Sequence, residues 1–106
     1  GPREMLRIAQ RAAEHGVAFS PHNPSGPVCT WHSWQVALVA PECAMLELQF
    51  DESSMYDSLT QGVDLQPHRG ALGVPQPDQQ LGLNLDLLRA HPYQAVPPGI
   101  ETLLNR

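Results

Sequence analysis

The sequence predicts an α/β fold in which helix, strand, helix and strand follow one another with short connections, continued by a less regular C-terminal half. Three observations carry this reading. Apolar residues recur at helical spacing over residues 2–14 and 28–39. Short apolar runs at 17–20 and 44–48 follow the helices, after breaks at Gly16 and Pro41. Apolar residues then thin out from residue 51 to residue 80.

Taken in order, Pro2 to Glu14 reads as a helix, because Pro2 suits a first turn and Met5, Ile8, Ala9 and Ala12 fall on one face. Gly16 is its expected stop, with His15 at the negative end of the helix dipole. Val17 to Ser20 reads as a buried strand. Residues 21–27, PHNPSGP, hold three prolines and a glycine and are excluded from regular structure. Val28 to Val39 reads as a second, largely buried helix, with Val28, Trp31, Gln35 and Leu38 on one face. Ala44 to Leu48 follows as a strand with one carboxylate inside it.

The second half is predicted to be looser. Residues 51–70 are polar and read as a long loop. Leu81, Leu83 and Leu85 alternate with Gly82, Asn84 and Asp86, the period of a half-buried strand. A short helix is expected over residues 86–90, ended by His91-Pro92, and Pro97-Pro98 separates it from a last apolar turn at Leu103 and Leu104. Strands that alternate with helices pair in parallel, and a parallel sheet needs both faces covered. Two strands do not make such a sheet, so the pattern predicts a piece of a larger fold.

Composition narrows the function classes. The chain has 106 residues, a net charge of -5, six arginines and no lysine, so it lacks the basic surface that neutralises phosphates, and nucleic acid is excluded as a partner. No apolar run approaches the roughly 20 residues of a membrane span. Cys29 and Cys43 lack metal-site spacing and read as reduced, buried thiols, which together with the absence of a signal-peptide pattern predicts a cytoplasmic protein.

Two residues stand out chemically. His22 lies just past the first predicted strand, in a loop held open by prolines, and Glu47 lies near the end of the second. They are one strand–helix repeat apart, and in a parallel α/β barrel successive strand ends open on the same face, where active sites are built. Histidine titrates near neutrality and moves protons in either direction. A carboxyl set among Met45, Leu46 and Leu48 is expected to be desolvated, with a raised pKa, and to donate a hydrogen bond to charge developing on a substrate.

The stretch SPHNPSGPV from Ser20 to Val28, followed by a helix and MLELQ from Met45 to Gln49, resembles the seventh and eighth barrel strands of the mandelate racemase subgroup of the enolase superfamily, in particular its galactonate dehydratases. LGLNLD at Leu81 to Asp86 is similar to the segment where these enzymes return to their capping domain. The resemblance implies the C-terminal part of a (β/α)8 barrel, with residues 1–50 as its last βα units and residues 51–106 as the loop, short strand and helix of the capping segment. It implies proton abstraction next to a carboxylate, magnesium stabilising the enediolate, and loss of a neighbouring hydroxyl as water. His22 matches the family's general base or acid, and Glu47 the carboxyl that hydrogen-bonds the substrate carboxylate.

The expected substrate is a small sugar acid or related hydroxy acid, and the magnesium ligands are expected outside this segment. Racemisation or epimerisation by the same half-reactions is the enzymatic alternative. A non-catalytic, self-associating fragment is the alternative from another class, and a homo-oligomer is expected in either case. By itself the 106-residue chain is expected to be inactive. Two features depart from the family pattern, Gln79-Gln80 in place of Pro-Gly and the bulky pair Trp31 and Trp34 in a helix commonly lined with small residues.

The remaining polar and aromatic residues have simpler readings. Asn23 either contacts substrate beside His22 or caps the turn. Trp31 and Trp34 read as packing residues. His32 reads as exposed or internally satisfied, and His22, His32, His68 and His91 have no metal-binding spacing. Asp51, Glu52 and Asp57 read as a solvated acidic loop.

Overall fold

The computed structural model describes residues 1–49 and 53–94. Asp51, Glu52 and the predicted terminal turn at Leu103 and Leu104 lie outside the described residues. The first helix, α1, spans Pro2–Glu14. It ends in a Schellman motif: Gly16 N–H donates to the Ala13 carbonyl, Val17 N–H donates to that of Ala12, and Gly16 sits at φ +64°. The predicted apolar face is rotated from expectation. Ala9 is fully buried with Met5 and Leu6 beside it, while Ile8 is 52 % exposed, because the helix packs along its Met5–Leu6–Ala9 edge.

The second helix, α2, spans Pro27–Val39. It is packed from two sides, and this explains why its buried set differs from a single stripe. Val36 joins Ala9 and Phe19 in one core cluster, with Cys43 partly buried against it. Trp31 and Trp34 form a second cluster with Leu65, against which Leu46, Val63, Leu72 and Leu81 pack. The two indoles meet edge to face, with centroids 5.6 Å apart. Val28 and Leu38, expected inside, are exposed. Both cysteines are half-buried rather than buried.

Neither predicted parallel strand forms a regular ladder. Residues 17–20 and 43–48 do run side by side in parallel, joined by one bridge between Phe19 and Cys43. Phe19 N–H donates to the Glu42 carbonyl and Ala44 N–H to that of Phe19, each at 2.9 Å. Pro21 carries no N–H, so the backbone ladder cannot continue past it. Side chains take over instead, with Ser20 Oγ donating to the Met45 carbonyl at 3.0 Å.

The stretch expected to be a plain loop is more ordered than its polarity suggests. A 3-10 turn at Tyr56–Ser58 leads into a short strand, β1 (Thr60–Gln61), which pairs antiparallel with β2 (Gly82–Leu83). At Gly62 a Cβ would lie 2.6 Å from the Gln80 carbonyl oxygen, so only glycine fits the junction of the pair. The last described helix, α3, spans Leu85–Ala90. Asn84 caps it by accepting from Leu87 N–H, and its amide nitrogen donates to the Ser58 carbonyl, tying α3 to the 3-10 turn. The expected strand over 81–86 is thus half strand and half helix. Among the described residues, no helix is long and apolar enough to cross a membrane.

Candidate functional site

The site begins where the backbone ladder stops. Past Pro21 the first segment continues beside the second, and this keeps residues 20–23 in register with residues 45–47. His22 and Glu47 therefore meet, as their spacing predicted. His22 Nδ1 lies 2.7 Å from Glu47 Oε2, and the two side chains are 78 % and 47 % exposed. A carboxylate only accepts, so at neutral pH Nδ1 carries the proton and donates it into this bond. That choice of tautomer leaves Nε2 as the basic nitrogen.

The electrostatics of Glu47 are the reverse of the expected rise. Its carboxyl pKa is lowered, first by the hydrogen bond from the Asn23 backbone N–H and then by that from His22. The apolar neighbours in sequence do not enclose it: Met45 is 70 % exposed, and alternation along the extended segment turns Glu47 towards the surface. Glu47 is thus an ionised acceptor, and the protonated donor expected from its neighbours is not what this environment favours.

Asn23 is placed differently from its neighbour. Its side chain is fully buried. Its amide nitrogen donates to the Glu47 carbonyl at 2.8 Å and to Thr30 Oγ1 at 3.0 Å, while its backbone N–H donates to Glu47 Oε2 at 3.1 Å. This geometry suits the holding of the loop against the second segment, rather than direct contact with a substrate. Two partners escaped the sequence reading. Thr30, fully buried, lies one turn into α2, and Tyr56 Oη lies 2.6 Å from its hydroxyl. The available signals were a hydroxyl at the start of an apolar helix and a lone aromatic in a polar stretch.

Among the described residues, no three His, Cys, Asp or Glu side chains converge where a metal ion could be held. Asp64 pairs with His68 at 3.0 Å, and its pKa is lowered by that bond and by the Gln66 backbone N–H, but this is a two-residue surface pair. The residues described here do not make a magnesium site, and no chemical step is derived through one.

A bridge between two parallel extended segments, each preceded by a helix, with a histidine and a carboxylate at their C-terminal ends, is the arrangement of an α/β barrel enzyme's strand ends. The chain belongs to the enolase C-terminal domain-like family, whose model matches residues 1–90. It is also similar to the D-xylonate dehydratase of Haloferax volcanii, with 33 % identity over 92 residues, covering 86 % of this chain and 22 % of that enzyme. The chain thus spans about a fifth of the length of that relative. No solved structure matches it significantly. Membership in this family fits a part of an α/β barrel architecture.

Proposed function

We propose that this chain supplies the last two strand ends of a barrel of the mandelate racemase type, in an enzyme that removes water from a sugar acid or related hydroxy acid. The 2.7 Å pairing of His22 with Glu47, exposed at adjoining strand ends, carries the proposal. Similarity to a dehydratase supports the choice of reaction. In this reading Glu47 fixes the imidazole by accepting from Nδ1, so that Nε2 faces the reactants. His22 Nε2 either takes the proton next to the substrate carboxylate or, once protonated, gives its proton to the departing hydroxyl, which leaves as water. Magnesium would supply stabilisation of negative charge beside the substrate carboxylate. Its ligands are proposed to lie outside these residues, and turnover is assigned to the assembled barrel rather than to this chain alone.

The test is turnover of a sugar-acid library with magnesium, using protein in which the remaining strands are supplied. His22→Gln is expected to lose about 10²–10⁴-fold in kcat. Unchanged turnover in that variant would remove His22 from the reaction. Deuterium entering the substrate from D2O, without loss of water, would replace dehydration by racemisation or epimerisation.

A second reading is favoured by the surface. Val17, Val39 and Met45, at or beside the two parallel segments, are 54 %, 67 % and 70 % exposed. As a separate chain, the molecule is proposed to self-associate through this region.

A further inference from the structure

The Thr30 hydroxyl has a complete set of partners, and the set can be assigned atom by atom. Its one proton goes to the Gly26 carbonyl at 3.2 Å, since a carbonyl only accepts. Its oxygen must then accept from both other neighbours, the Asn23 amide nitrogen at 3.0 Å and the Tyr56 hydroxyl at 2.6 Å. The Asn23 amide is equally constrained. The Glu47 carbonyl at 2.8 Å requires the nitrogen, not the oxygen, to face it, so the reversed amide is excluded. Both Asn23 amide protons are therefore used. Asn23 Oδ1 is left buried with no partner among the described residues.

We propose that Tyr56, Thr30 and Asn23 form a positioning chain that sets the Glu47 carboxylate, and through it the His22 ring. The chain runs from the 3-10 turn, through the first turn of α2 and the buried Asn23 amide, to the backbone of Glu47. At its end the Asn23 N–H grips the same carboxylate oxygen that His22 uses, at 3.1 Å. Tyr56 is half-buried, and among the described residues its hydrogen bond to Thr30 is the one by which the C-terminal segment enters this network. None of the three needs to touch a substrate, so their role is positioning and not catalysis. The proposal rests on the reading of His22 and Glu47 as the working pair.

The test is a carboxyl-carbon NMR titration of Glu47 in the full chain, comparing wild type with Tyr56→Phe, Thr30→Val and Thr30→Ser. Tyr56→Phe keeps the ring and removes one hydroxyl, so it is the variant that decides if Thr30→Val does not fold. The expected result is a Glu47 titration displaced upward, towards that of an ordinary glutamate, in Tyr56→Phe and Thr30→Val. Thr30→Ser keeps the hydroxyl and should titrate like wild type. Wild-type titration in a folded Tyr56→Phe protein would overturn the positioning chain, as would a Thr30→Ser titration displaced like that of Thr30→Val. The two readings fail separately. If His22→Gln leaves turnover intact while Tyr56→Phe still moves Glu47, the catalytic reading falls and the positioning chain stands.

Discussion

Glu47 Oε2 takes hydrogen bonds from two donors, the Asn23 backbone and the His22 ring, and both favour the ionised carboxylate. The sign of the resulting pH dependence follows. A carboxyl whose folded pKa lies below its unfolded value contributes stability that is fully present above the ordinary glutamate value of 4.5. That contribution is lost as pH falls through the lowered folded value. Glu47→Gln should therefore be less stable than wild type at pH 6, with the difference shrinking as the pH is taken well below 4.5. Denaturant melts of both proteins over a pH series check this, and a stability gap that stays constant down to low pH would contradict it. The pairing of His22 and Glu47 was legible because the spacing of one strand–helix repeat is a property of chain order. The charge state of Glu47 was not, because Met45, Leu46 and Leu48 say nothing of which way the carboxylate turns.

At the level of elements, the helices were the most legible part. Pro2 and Gly16 bracket α1 and Pro41 follows α2, each acting through the backbone alone, while Pro27, read as part of the loop, is the first residue of α2. Which face is buried was less legible, because α2 is covered on two sides by segments far apart in sequence. The order in residues 53–81 was hidden for the same reason. Leu65, Val63 and Leu72 show no periodicity, and they acquire a partner only when Trp31 and Trp34 present a face to them. This also gives the bulky indoles a use: they anchor the second half of the chain. Backbone devices are the ones to test here. With φ at +64° and open space around it, Gly16 has no contact to lose, so Gly16→Ala isolates the conformational penalty. It should lower stability by about 1–2 kcal/mol, measured by urea unfolding. Asn84→Ala removes both the α3 cap and the donor to Ser58, and should cost about 1–2 kcal/mol in the same measurement.

For the whole molecule, the question is what covers the parallel pair. A bridge joins residues 19 and 43, and among the described residues no further strand lies against either segment. Among the described residues the buried apolar side chains are correspondingly few: Ala9, Phe19, Trp31, Trp34, Val36 and Leu65. Exposed Val39 and Met45 add apolar surface next to the open backbone of the pair, a combination that favours pairing with another chain. Sedimentation of the chain is therefore expected to give a mass above the 11.6 kDa of one copy, rising with protein concentration. Met45→Lys should shift it towards the monomer, because a charge at that site opposes edge-to-edge approach. Met45 lies outside the hydrogen-bonded network of Asn23, Thr30 and Tyr56 by its side chain, so the variant should leave those hydrogen bonds in place. A wild-type chain that sediments as a monomer at every concentration would show that the exposed pair needs no cover. The catalytic reading would survive that outcome, since it depends on the strands of the complete barrel rather than on contact between copies of this chain.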